Sequence, residues 1–201
     1  MRLPDFFEAV PPITLQDPLA ATLGAAADGL LDYRYADAVK LAGHSCPTVA
    51  GAWLMARRGL RTLYGDEVPL RGGLRVELRA AQDAGTHGVV GNVLSFITGA
   101  AGEGGFKGLA GRLGRKDLLA YGVGIAAEVR IARLDTGAAV LLDYHPEKVP
   151  PATELAPLMQ RVMAGVADAG ERAEFGRLWQ ERVRRILLEH GDDPELVVVS
   201  A

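Results

Sequence analysis

Residues 123–144 hold the pattern that most narrows the fold. Val123, Ile125, Ala127, Val129 and Ile131 recur at every second position, the spacing of a strand with one buried face. Asp135-Thr136-Gly137 then supplies a short turn, and the apolar run returns at Ala139–Tyr144, which predicts a β-hairpin. Leu74 to Arg79 alternates in the same way and adds a strand.

The period elsewhere is helical. Leu19 to Leu31 is Ala-rich and reads as a helix, Tyr33 to Leu41 as a short helix or an approach to the segment after it. Pro47 to Tyr64 carries Val49, Trp53, Ala56, Leu60 and Leu63 on one side, and Val89, Val90, Val93, Leu94 and Ile97 predict a helix over Gly88 to Thr98, ended by Gly99. Leu155, Leu158, Met159, Val162 and Val166 form one apolar stripe; Phe175, Leu178, Trp179, Val183, Ile186 and Leu187 form a second. Met1 to Pro18, with four prolines, is expected to be an extended arm, and Gly99 to Gly114, with seven glycines, a loop. The order predicts an α+β fold, an antiparallel sheet packed with helices and carrying helical N- and C-terminal extensions. At 201 residues the expectation is a single domain, with a core over 19–145 and C-terminal helices over 152–190.

Composition removes several function classes. A net charge of −3 gives no broad basic footprint for nucleic acid. No run approaches the roughly 18 apolar residues of a membrane span. The N-terminus lacks a positive segment followed by a long apolar one, so no signal peptide is read and the cytoplasm is the expected compartment. The one cysteine excludes an intrachain disulfide framework and a four-cysteine zinc ribbon.

That cysteine lies in Gly43-His44-Ser45-Cys46-Pro47. Pro47 suits the first position of a helix, which places Cys46 at a helix N-terminus, where free N–H groups favour a negative charge and a thiolate. His-x-Cys also brings an imidazole and a thiolate within reach of one ion or one substrate. His87 precedes the next predicted helix. If both helix starts face one cleft, His44, Cys46 and His87 supply a three-ligand site for zinc or another divalent transition metal, with a position open to water or substrate. Against this stands the plainer reading of two polar loop histidines and a small buried cysteine. Asn92 is either a buried hydrogen-bond anchor or a ligand-orienting group. Lys107, in Gly102-Glu103-Gly104-Gly105-Phe106-Lys107-Gly108, is the one positive charge of a loop suited to an anion, although the loop lacks the P-loop spacing. His145 reads as a surface residue or one that backs a site residue, and His190 as a cation at a helix C-terminus.

Gly43-His44-Ser45-Cys46-Pro47, followed by Gly51, resembles the Gly-His-x-Cys-Pro-Gly opening of the formylmethanofuran dehydrogenase E-subunit family. Val89 to Ala101, followed by Gly105-Phe106-Lys107-Gly108, is similar to that family's Cys-x-x-Asp-Ala-Ile-Gln-x-x-Thr-Gly-Cys-Thr stretch and Gly/Lys-rich loop. The family's two later cysteines fall at Val89 and Ala100, and its aspartate at Asn92. The zinc finger that follows the core in some members is absent, since no cysteine follows Cys46. The resemblance implies an α+β core that forms a homodimer, with a metal site in a cleft that includes His-x-Cys.

Three readings of function follow. The first is a metal-dependent protein, with zinc on His44, Cys46 and His87 binding a small ligand or substrate that Lys107 and Asn92 orient. The second is a non-catalytic carrier or accessory protein that passes a metal or cofactor to an oxidoreductase partner. The third is a metal-free enzyme with Cys46 as nucleophile and His44 as base.

Overall fold

The computed structural model describes residues 3–200. Its described residues form two sheets and six α-helices in an α+β arrangement. The chain opens with a 3-10 turn at Asp5–Ala9, followed by β1 (Ile13–Gln16), α1 (Pro18–Thr22) and β2 (Leu30–Tyr33). β1 and β2 pair antiparallel as a small sheet of their own. The extended arm expected over Met1 to Pro18 is therefore partly structured, and Met1 and Arg2 lie outside the described residues. The helix expected over Leu19 to Leu31 is one turn long. Asp17 caps its start, and the chain then turns through Gly24 and Gly29, both at positive φ, before β2 begins.

The main sheet has the order β4-β3-β5-β6-β7. Its members are β3 (Leu74–Leu78), β4 (Leu119–Ala120), β5 (Val129–Arg133), β6 (Ala139–Tyr144) and β7 (Val197–Ser200). The hairpin is present as β5 and β6, with Val129 opposite Leu142. All neighbours are antiparallel except β3 and β4, so the expected antiparallel sheet carries one short parallel pair at its edge. Val123 and Ile125 lie ahead of the strand. The backbone N–H of Val123 donates to Leu78 O at 3.1 Å, and that of Ile125 turns back to Val123 O at 2.8 Å, leaving the β5 ladder to start at Val129.

The helices α2 (Tyr35–Ala42), α3 (Pro47–Tyr64) and α4 (His87–Thr98) pack with the sheet around one core. α3 lies against β6, β5 and β7 and also against α2 and α4. Trp53, Leu54 and Met55 are fully buried at its centre, the expected state of a helix apolar on most sides. α4 ends at Gly99 in the left-handed region, as its pattern predicts. The two C-terminal stripes become α5 (Leu155–Met163) and α6 (Ala169–Arg184), which pair with each other. α6 begins with reciprocal bonds, Glu171 N to Asp168 Oδ1 at 2.8 Å and Asp168 N to Glu171 Oε2 at 2.9 Å. A π-helical turn, Arg185–Glu189, then leads toward β7. No helix among the described residues is long and apolar enough to cross a membrane.

Candidate functional site

The left-handed C-cap of α2 at Gly43 turns the chain into His44-Ser45-Cys46. Cys46 has extended backbone angles and is the N-cap of α3, with Pro47 as the first helical residue. Its Sγ accepts a 3.5 Å hydrogen bond from Val49 N–H, and the residue is 8% exposed. The helix-start reading of the motif thus holds in its local geometry.

This short loop is fixed from several elements. Tyr35, on α2, and Ser45 share a buried 3.0 Å bond between their hydroxyls. The Ser45 carbonyl accepts from Trp179 Nε1 at 2.9 Å and from Gln180 Nε2 at 3.1 Å, both on α6. The Tyr144 hydroxyl, at the end of β6, donates to Pro47 O at 2.9 Å. Burial pushes the Tyr35 and Tyr144 phenols above their usual range, so both stay protonated at neutral pH. Trp179 is half-buried against the core.

His44 is exposed, and its Nδ1 lies 2.9 Å from Ala42 O. A carbonyl accepts only, so Nδ1 carries the proton and Nε2 keeps its lone pair in the neutral ring. His44 and Cys46 line one cavity of about 360 Å³ with Pro47, Thr48, Thr86, Val89 and Trp179. Its wall is mostly apolar, with imidazole and thiol set into it.

His87 is placed differently. It opens α4 between Thr86 and Val89, but its Nδ1 donates to Ala84 O at 2.9 Å and its Nε2 stands 3.9 Å from Glu128 Oε1. Their side chains are 22% and 20% exposed. Burial pushes the Glu128 carboxyl up from its ordinary value, with His87 opposing. Glu128 went unnoticed in the sequence, because it stands in an apolar alternation where a charged residue reads as an outward-facing strand position. Among the described residues, no three His, Cys, Asp or Glu side chains come together as metal ligands. The structure brings His44 and Cys46 into one pocket and turns His87 toward Glu128.

The other two candidates lie apart from this pocket. Asn92 is exposed on α4 and is not a buried anchor. Lys107 is exposed on the Gly-rich loop. Neither lines the cavity with His44 and Cys46. A larger concavity, of about 500 Å³, lies between Arg57 and the segment from Leu187 to Pro194. Arg57 Nη2 donates to Asp192 Oδ1 at 3.2 Å there, so its main charges already satisfy each other, and it holds neither the thiol nor an imidazole.

No protein-family model and no curated protein matches this chain.

Proposed function

We propose that this protein binds a small, largely apolar molecule in the cavity at the start of α3, and that the Cys46 thiol is the group that engages it. One observation carries this reading: the chain's only cysteine shares a mostly apolar cavity with an imidazole whose Nε2 has no hydrogen-bond partner among the described residues. In that arrangement His44 takes the proton of the thiol, the sulfur adds to an electrophilic carbonyl carbon as its C=O π bond opens, and the imidazolium returns the proton to the resulting oxygen. The N–H of Val49 donates to Sγ and fixes its direction. Trp179 and Val89 supply apolar contact, and the bonds to Ser45 and Pro47 hold the thiol in place.

Zinc is the competing occupant of the same two donors. Structural zinc sites use four protein ligands and catalytic sites three, and this pocket offers one nitrogen and one sulfur. The residues present therefore do not make up a zinc site of either kind, and the reading above needs no metal.

The test measures the rate at which iodoacetamide alkylates Cys46, by intact mass, together with metal content of untagged protein. The expected result is stoichiometric alkylation that slows in His44→Ala, disappears in Cys46→Ser and proceeds without metal. About one metal per chain, lost in both variants, would replace the thiol reading with the metal one.

A further inference from the structure

Asp17, Arg71 and Arg115 form a second polar cluster, separate from the Cys46 cavity, with Asp17 and Arg115 buried and Arg71 half-buried. Asp17 Oδ1 accepts from Leu19 N at 2.8 Å, from Ala20 N at 3.2 Å and from Arg115 Nη2 at 2.6 Å. Its Oδ2 accepts from Arg71 Nη1 at 2.8 Å. Arg71 also donates from Nε to Ile97 O at 3.2 Å and from Nη2 to Phe96 O at 2.9 Å, so each of its nitrogens has an acceptor. Arg115 is different. It is 6% exposed, and its Nε and Nη1 are buried without a partner among the described residues.

Two guanidinium groups against one carboxylate leave an excess positive charge. Leaving buried guanidinium N–H groups without acceptors is costly. Two glycines make room for the Arg115 guanidinium. A methyl group on Gly72 would overlap the guanidinium, and one on Gly99 would stand 2.8 Å from Nη1. The Gly-rich loop holds Arg115 from the other side, through Arg115 N to Phe106 O at 2.8 Å and Ala101 N to Arg115 O at 3.0 Å. Beside the cluster lies a cavity of about 280 Å³, lined by Arg71, Gly72, Gly114 and Arg115 with Leu70 and Leu134 as apolar wall.

We propose that this cavity is a binding site for a small oxyanion, a phosphate or carboxylate group received by the unpaired face of Arg115 beside Arg71. Planar guanidinium groups match the oxygens of either anion. Burial pulls the Arg115 guanidinium below its usual range, a direction that a bound anion opposes. The site does not depend on the thiol reading, since none of its residues lines the Cys46 cavity.

The test is calorimetric titration of the full chain with inorganic phosphate and, separately, with acetate, at low ionic strength. A saturable single site is expected, weakened about tenfold or more in Arg115→Lys, because an ammonium does not reproduce the fork. Arg112→Ala, an exposed arginine of the same loop, should leave binding unchanged. Amide shifts of the wild-type protein keep the test independent of how the variants fold, and they should concentrate at Gly72, Gly73 and Gly114. Binding of phosphate alone assigns a phosphate ligand, and binding of acetate alone a carboxylate. No saturable binding of either, or shifts that map away from Arg115, would overturn the site.

Discussion

The hydroxyl of Tyr144 donates a 2.9 Å hydrogen bond to the carbonyl of Pro47, joining the end of β6 to the first turn of α3 beside Cys46. The approach depends on Gly51, where a methyl group would overlap the Tyr144 ring. Tyr144→Phe keeps the ring and removes the bond. The expected cost is about 1 kcal/mol, read as a lower urea midpoint, with faster alkylation of Cys46 as its loop loosens. An unchanged midpoint would show that the bond adds nothing to stability. Gly51→Ala should cost more, because the ring itself must move.

Asp17 stands between the buried Arg115 and the half-buried Arg71, so removing its charge leaves both without their carboxylate. Asp17→Asn is expected to lose about 3–5 kcal/mol, measured by urea denaturation near neutral pH. The acid behaviour has a definite sign. Burial works to raise the Asp17 carboxyl, but its bonds to Arg71 and the Ala20 N–H and the charge of Arg115 hold it below the ordinary 3.8. A depressed folded-state value gives stability that is present above the unfolded value and lost as pH falls through the folded one. The gap between wild type and Asp17→Asn should therefore close in acid, and a gap that stays constant would refute the charge argument.

Those two contacts show what the chain disclosed and what it withheld. The β5–β6 hairpin, the start of α3 at Pro47 and the paired C-terminal helices were legible because period and turn chemistry are local. The Leu19–Leu31 segment misled because Ala content signals helix, while Gly24 and Gly29 at positive φ and pairing with β1 decide for a turn and a strand. β7 went unread, although Leu196-Val197-Val198-Val199 is a short β-branched run of the kind that fills a sheet. In the site, the local part was legible: His44 and Cys46 do share a pocket. His87 facing Glu128, and Asp17 meeting Arg71 and Arg115, join residues far apart in the chain, and no spacing rule connects them.

Glu128 provides a prediction of opposite sign. Burial raises its carboxyl above the ordinary 4.5 despite the nearby His87. A raised folded-state value means that the contribution to stability is full below the unfolded value and is lost as pH rises through the folded one. Glu128→Gln should therefore be more stable than wild type near neutral pH, and the advantage should vanish below the ordinary value. Urea midpoints at about pH 7 and about pH 4 measure this. An equal gap at both would show that ionisation of Glu128 is not the cause.

Val89 lines the same cavity as His44 and Cys46, at the position where the family that the motif resembles carries a cysteine. Val89→Cys places a second sulfur beside the existing nitrogen and sulfur, and three such donors with one open position form a recognised zinc arrangement. The variant is expected to retain about one zinc per chain after dialysis, well above wild type, measured by mass spectrometry of the metal. Adding His44→Ala or Cys46→Ser to it should remove that zinc. Ala100→Cys is the matched control: Ala100 is fully buried and does not line the cavity, so a sulfur there should confer no zinc. Equal zinc in Val89→Cys and wild type would mean that position 89 does not point its side chain at the His44–Cys46 pair.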